Sequence, residues 1–144
     1  MKNKISIIVI ILLMVACLVG ALLINSDGKS SNHIKTKKNG VVENLNKGIT
    51  KDQKYEELDF TETSLSYVKG TGTTYRVTVT NNTNKVIDIE AIDIILKDKD
   101  GNVITTLYGY LGGKIEPLQE NSIKTTTKED LTNAYSVEYK VSEK

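Results

Sequence analysis

The sequence predicts an all-β domain of sandwich type, carried behind one apolar N-terminal segment. Three observations predict it. From Tyr55 onward apolar and polar residues alternate with a period of two and β-branched residues are frequent. Polar turn clusters at Asn81-Asn82-Thr83-Asn84 and Lys97-Asp98-Lys99-Asp100-Gly101-Asn102 separate the alternating runs. No stretch of this region carries a helical period; residues 129–134 offer one turn at most.

The N-terminal segment comes first in the chain. Residues 5–24 read ISIIVIILLMVACLVGALLI, 20 residues without a charge. As a helix they would span about 30 Å, the hydrocarbon thickness of a bilayer. A domain of this size has no room to bury a helix that is apolar on every side. Lys2 and Lys4 precede the run, as they do in a signal peptide or signal anchor. Three readings follow. The length favours an uncleaved anchor. Met14-Val15-Ala16-Cys17 resembles a bacterial lipobox, which would make Cys17 a lipidation site. Leu18 to Ile24 stay apolar, however, where lipoproteins turn polar. Cleavage after Val19-Gly20-Ala21 would release a secreted product. Lysines lie on both sides of the run, with Lys29, Lys35, Lys37 and Lys38 beyond it. The short Lys-bearing tail nevertheless favours export, with the domain outside the membrane.

Residues 25–54 read as a flexible linker rich in Lys, Asn, Ser and Gly, with a coil reach of about 30 Å. Val41-Val42-Glu43-Asn44-Leu45 is the one stretch within it with the makings of a brief element. His33, the single histidine, falls here as a solvated side chain. The linker carries 7 basic and 3 acidic residues, net +4, and residues 55–144 carry 10 basic and 15 acidic, net −5. An acidic domain repels phosphates, which argues against nucleic acid as a partner. The basic stretch suits an anionic membrane or wall surface.

Within residues 55–144 the strands follow in order. Phe60, Leu65 and Tyr67 mark the first, with a break of phase between Phe60 and Leu65. Tyr75, Val77 and Val79 alternate with Arg76, Thr78 and Thr80 in the second. In the third, Ile87, Ile89 and Ala91 point one way and Ile92, Ile94 and Leu96 the other, a phase switch that requires a bulge or burial on both faces. Gly101 supplies the positive φ of a hairpin turn. The chain returns through Val103 to Tyr110, Pro117 interrupts, and residues 122–127 and 135–141 close the count. About seven short strands fit an immunoglobulin-like β-sandwich.

Ile94-Ile95-Leu96-Lys97-Asp98 and the following Lys99-Asp100-Gly101-Asn102-Val103-Ile104 resemble the FxLYD motif and its hairpin, with Ile94 in place of the Phe and Lys97 in place of the Tyr. Val77 to Thr83 resembles that family's strand ending in an Asn-containing turn, and the resemblance covers residues 60–141. It implies that Ile94 and Leu96 are inward structural positions and that Asp98 and Gly101 shape the turn. It further implies an extracytoplasmic, membrane-anchored bacterial protein with an immunoglobulin-like sandwich and no defined activity. The broader late-embryogenesis-abundant-like sandwich family is an equal relative.

No enzyme chemistry is expected. Residues 55–144 hold neither His nor Cys, so a nucleophile with its base and a zinc site are both excluded. No catalytic residue, metal ligand or cofactor is assigned. Asp98-x-Asp100-Gly101 is not an EF-hand: with Gly101 at the sixth position, Leu96 and Leu107 stand where acids belong. Gly109-x-x-Gly112-Gly113-Lys114-Ile115 is not a phosphate loop, because Ile115 stands at the magnesium-binding hydroxyl. Asn81-Asn82-Thr83 has the form of a glycosylation sequon. Tyr108-Gly109-Tyr110-Leu111-Gly112-Gly113 reads as an aromatic, glycine-rich loop, with Tyr108 and Tyr110 either core residues beside a turn or contacts for a partner. The expected function is a non-catalytic interaction module displayed on the membrane, contacting protein or cell-envelope material. The alternative is a small-ligand or calcium-binding domain using the acidic hairpin or the tyrosine loop.

Overall fold

The computed structural model describes residues 34–36 and 39–143. The apolar run, Cys17 and His33 lie outside the described residues. The described chain forms β1 (Ile34–Thr36), β2 (Val41–Asn44), a single helical turn α1 (Lys47–Thr50), β3 (Gln53–Tyr55), β4 (Leu58–Val68), β5 (Gly72–Asn81), β6 (Ile87–Lys97), β7 (Val103–Ile115), β8 (Glu120–Thr127) and β9 (Ser136–Val141). These make two antiparallel sheets. The larger runs β1-β2-β4-β5-β8, with β3 also paired to β4, and the smaller runs β7-β6-β9. The chain crosses between sheets after β5, after β7 and after β8.

Both phase breaks foreseen in the alternation are irregularities of register. In β4 the pairing with β5 shifts between Thr61 and Ser64, where Glu62 adopts a φ of 52°, so Phe60 and Leu65 face the same core despite their odd spacing. In β6 the pairing with β7 shifts between Ile89 and Ala91, which returns Ile92, Ile94 and Leu96 to the interior. The extra residue belongs to β7, and Gly112 and Gly113, with φ of 92° and 93°, absorb the turn that the bulge demands.

The core lies between the sheets. Leu58, Phe60, Leu65, Tyr75, Val77 and Val79 come from the larger sheet, and Ile92, Ile94, Leu96, Leu107, Val137 and Tyr139 from the smaller. A fully buried side chain of this size contributes about 1.5–3 kcal/mol. Phe60 stacks on Tyr139 across the sheets, with ring centroids 3.9 Å apart and planes at 17°. The Tyr75 and Tyr139 hydroxyls meet at 2.7 Å in the same layer, with the Thr63 hydroxyl as third member of the cluster.

The sheet begins before Tyr55, where the sequence places the domain boundary. β2 and β3 share one flank of β4, β2 against Leu65 to Val68 and β3 against Leu58 to Phe60. Ile49 of α1 is fully buried. Side-chain amides hold these short pieces. The Asn44 amide donates to the carbonyls of Thr132 at 3.1 Å and Ala134 at 2.6 Å, and its oxygen accepts from the Asn46 N–H. Asn46 caps α1 by accepting from the Gly48 N–H at 2.8 Å. Gly48 has no alternative, since a Cβ there would lie 2.3 Å from the Tyr135 carbonyl oxygen.

Candidate interaction surface

Ile94 and Leu96 are fully buried. Asp98 folds its carboxylate back over the β6–β7 turn: one oxygen accepts from the backbone N–H of Asp100 and of Asn102, each at 2.9 Å, and the other from the Asn102 side chain at 3.1 Å. Those bonds, the Asn102 amide foremost, hold the Asp98 carboxyl below its ordinary range. Gly101 completes the turn at a φ of 84° and donates to the Asp98 carbonyl. Among the described residues no three His, Cys, Asp or Glu side chains gather at metal-binding distance.

The Asn81 sequon is spent internally. Asn81 is 0% exposed, its amide donates to the carbonyls of Lys85 at 2.8 Å and Ile115 at 2.9 Å, and its oxygen accepts from the Thr83 N–H and hydroxyl. It pins the end of β5 to the end of β7, where the chain passes between sheets. An amide so engaged is closed to glycan attachment in the folded chain.

Tyr108 and Tyr110 are not the core residues that one sequence reading made them. They lie on the strand foreseen from Val103 to Tyr110, here β7 (Val103–Ile115), with their rings outward and 57% and 62% exposed. Leu107, Gly109 and Leu111 between them face the core. Space at Gly109 is tight: a Cβ would come within 3.1–3.2 Å of the Ile92, Ile94 and Ile123 side chains, which would have to yield by a few tenths of an ångström. The glycine that signals a loop in the sequence is thus a packing residue. Val103 and Thr106 are exposed on the same strand, so β7 presents Val103, Thr106, Tyr108 and Tyr110 to solvent.

Beside Tyr108 an open groove of about 470 Å³ is lined by Ala91, Tyr108 and Val141 with the carboxylates of Asp88, Glu90 and Glu143. A shallower groove of about 320 Å³ follows the gap between β3 and β9, where Lys97 pairs with Glu138. That pairing, led by the hydrogen bond from the Lys97 ammonium, draws the Glu138 carboxyl below its ordinary range.

No family model matches this chain, and no curated protein matches it. Among solved structures it is similar to a DUF1425 family member from Shewanella sp. pv-4, with 14% identity and a TM-score of 0.41 over 77% of this chain and 95% of that one. The described residues form a β-sandwich-like domain of two antiparallel sheets with one short helical turn.

One arrangement had no local signal in the sequence. The Tyr75–Tyr139 hydroxyl contact joins residues 64 positions apart. Both tyrosines alternate as ordinary inward residues, and nothing in either strand names the other as partner.

Proposed function

We propose that this chain is a non-catalytic interaction module held at the outer surface of a cell membrane by residues 5–24, with the outer face of β7 and its neighbours as the contact surface. The observation that carries the contact reading is the pair Tyr108 and Tyr110, exposed side by side on a strand whose alternate residues are locked into the core. Rigid aromatic side chains give large contact area at little conformational cost, which suits recognition of a protein or of envelope polymer. The uncharged run of residues 5–24 supports the anchor. The buried positions of Ile94 and Leu96 and the self-bonded Asp98 support an FxLYD-like, immunoglobulin-like assignment, because the resemblance gives those residues the same tasks. An enzyme is disfavoured by the lack of any His or Cys in residues 34–143.

The groove beside Tyr108 supports a second reading, a small cationic ligand held between the ring and the carboxylates. Footprinting separates contact from no contact. Hydroxyl-radical modification of Tyr108 and Tyr110 is compared between intact envelopes and dilute, detergent-solubilised protein. Protection in the envelope is expected, and equal modification in both states would remove the contact surface.

A further inference from the structure

The edges of the two sheets are guarded unequally. β1 and β3 are three residues long, too short to template a further strand. β8 carries Glu120 and Lys124 within its span, and β9 carries Glu138 and Lys140, which form an ion pair at 3.7 Å. β7 is different. It is an edge of the smaller sheet, 13 residues long, and residues 103–113, VITTLYGYLGG, contain neither a charge nor a proline. Between the register shifts at its two ends, its middle pairs without irregularity with β6 from Thr105 to Tyr110. Natural edge strands are ordinarily blunted by charge, proline or brevity, and the middle of this one has none of these.

We propose that β7 pairs antiparallel with β7 of a second copy of this chain, joining two three-stranded sheets into one of six strands. Charge chooses the second copy over an unlike partner. In a two-fold pair the residues nearest the axis meet their own counterparts, so a charge in the middle of the strand would face its like, whereas an unlike partner allows complementary charges there. A neutral edge is the self-complementary solution. Two-fold antiparallel pairing also keeps outward residues opposite outward residues, so Thr106, Tyr108 and Tyr110 meet members of the same set, and aromatic and β-branched cross-strand pairs are favourable. The Leu111 carbonyl, already engaged by the Asn121 side chain at 3.2 Å, marks where the pairing ends. This inference goes beyond the anchored-module reading and does not depend on it, since it concerns β7 on either side of a membrane.

The test is sedimentation of the full chain in density-matched detergent, with Thr106→Lys on the edge and Ser64→Lys, exposed on the outer face of the larger sheet, as control. A dimer is expected for the wild type and for S64K, and a monomer for T106K. A wild type that stays monomeric at every concentration overturns the proposal. So does a dimer that T106K leaves intact, which would put the contact in residues 5–24 or on another face, and so does equal loss in S64K. If T106K fails to fold, amide exchange of residues 105–110 in the wild type decides: slowing as protein concentration rises supports the pairing, and no change overturns it.

Discussion

The Tyr75 hydroxyl lies 2.7 Å from the Tyr139 hydroxyl inside the core, a hydrogen bond between the two sheets in the layer where Phe60 stacks on Tyr139. Removing one hydroxyl from this buried cluster takes a bond worth about 1 kcal/mol from those that remain, while the Thr63 hydroxyl stays as partner to the tyrosine that is left. Tyr75→Phe is therefore expected to lower the unfolding free energy by about 1 kcal/mol or more. Tyr75→Phe/Tyr139→Phe should lose less than the sum of the single changes. Urea denaturation of the four proteins in the cycle measures the difference.

The same pair sets the alkaline limit of stability. Burial, the largest cause for both groups, pushes both hydroxyls above the ordinary tyrosine range. Below about pH 10 they are neutral in folded and unfolded chains alike, so their contribution is complete. Above it the unfolded chain ionises while the folded pair is held neutral, and stability falls as pH rises. A pH series of denaturation midpoints should show that decline begin near pH 10 and weaken in the doubly substituted protein.

Much of this layer was legible in the sequence, and part was not. The inward sets of β4, β5 and β6 follow from period-two alternation, and the two phase breaks appear as bulges because a one-residue slip turns every later side chain over. The partner of Tyr75 was not legible, because a contact across 64 residues leaves no local trace. Of the pieces before Tyr55, β2 was visible as the brief element at Val41 to Leu45, whereas β1, α1 and β3 were hidden: runs of three or four residues are too short to show a period, and amide clamps such as Asn44 to the 132–134 carbonyls hold them in place.

That clamp makes residues 41–54 part of the fold. Asn44→Ala leaves the buried Ala134 carbonyl and the Asn46 N–H without their partner, an expected loss of about 1–3 kcal/mol. Limited proteolysis should then cut first between residues 39 and 54. Unchanged cleavage would mean that the β2 clamp contributes nothing to stability.

Gly109 illustrates how a turn signal misleads. Its place in Tyr-Gly-Tyr suggests a loop, but the residue is bare because three isoleucine side chains converge on it. Gly109→Ala is expected to overpack the interior and destabilise by about 1–3 kcal/mol. Gly101→Ala instead meets no neighbour and strains only the left-handed backbone of the turn. Melting temperatures of the two variants compare the mechanisms directly.

Asp98 governs the β6–β7 hairpin through acceptor geometry. Asn keeps one of its two acceptor oxygens and Ala keeps neither, so melting temperature is expected to fall from wild type to D98N to D98A. Because the folded carboxyl titrates below its ordinary range, the contribution is present above that range and is lost as pH falls through it. Its oxygens already face the turn, so millimolar calcium is expected to leave the melting temperature unchanged. A clear rise would move the hairpin to a ligand site.

The anchored, outward-facing placement is tested most directly with one added cysteine, Lys124→Cys, on the exposed face of β8. Intact cells are treated with a membrane-impermeant maleimide, lysed, and separated into membrane and soluble fractions. An anchored, outward-facing domain leaves the chain in the membrane pellet, labelled in intact cells as fully as after lysis. Chain in the soluble fraction, or label that appears only once the cells are broken, would contradict it.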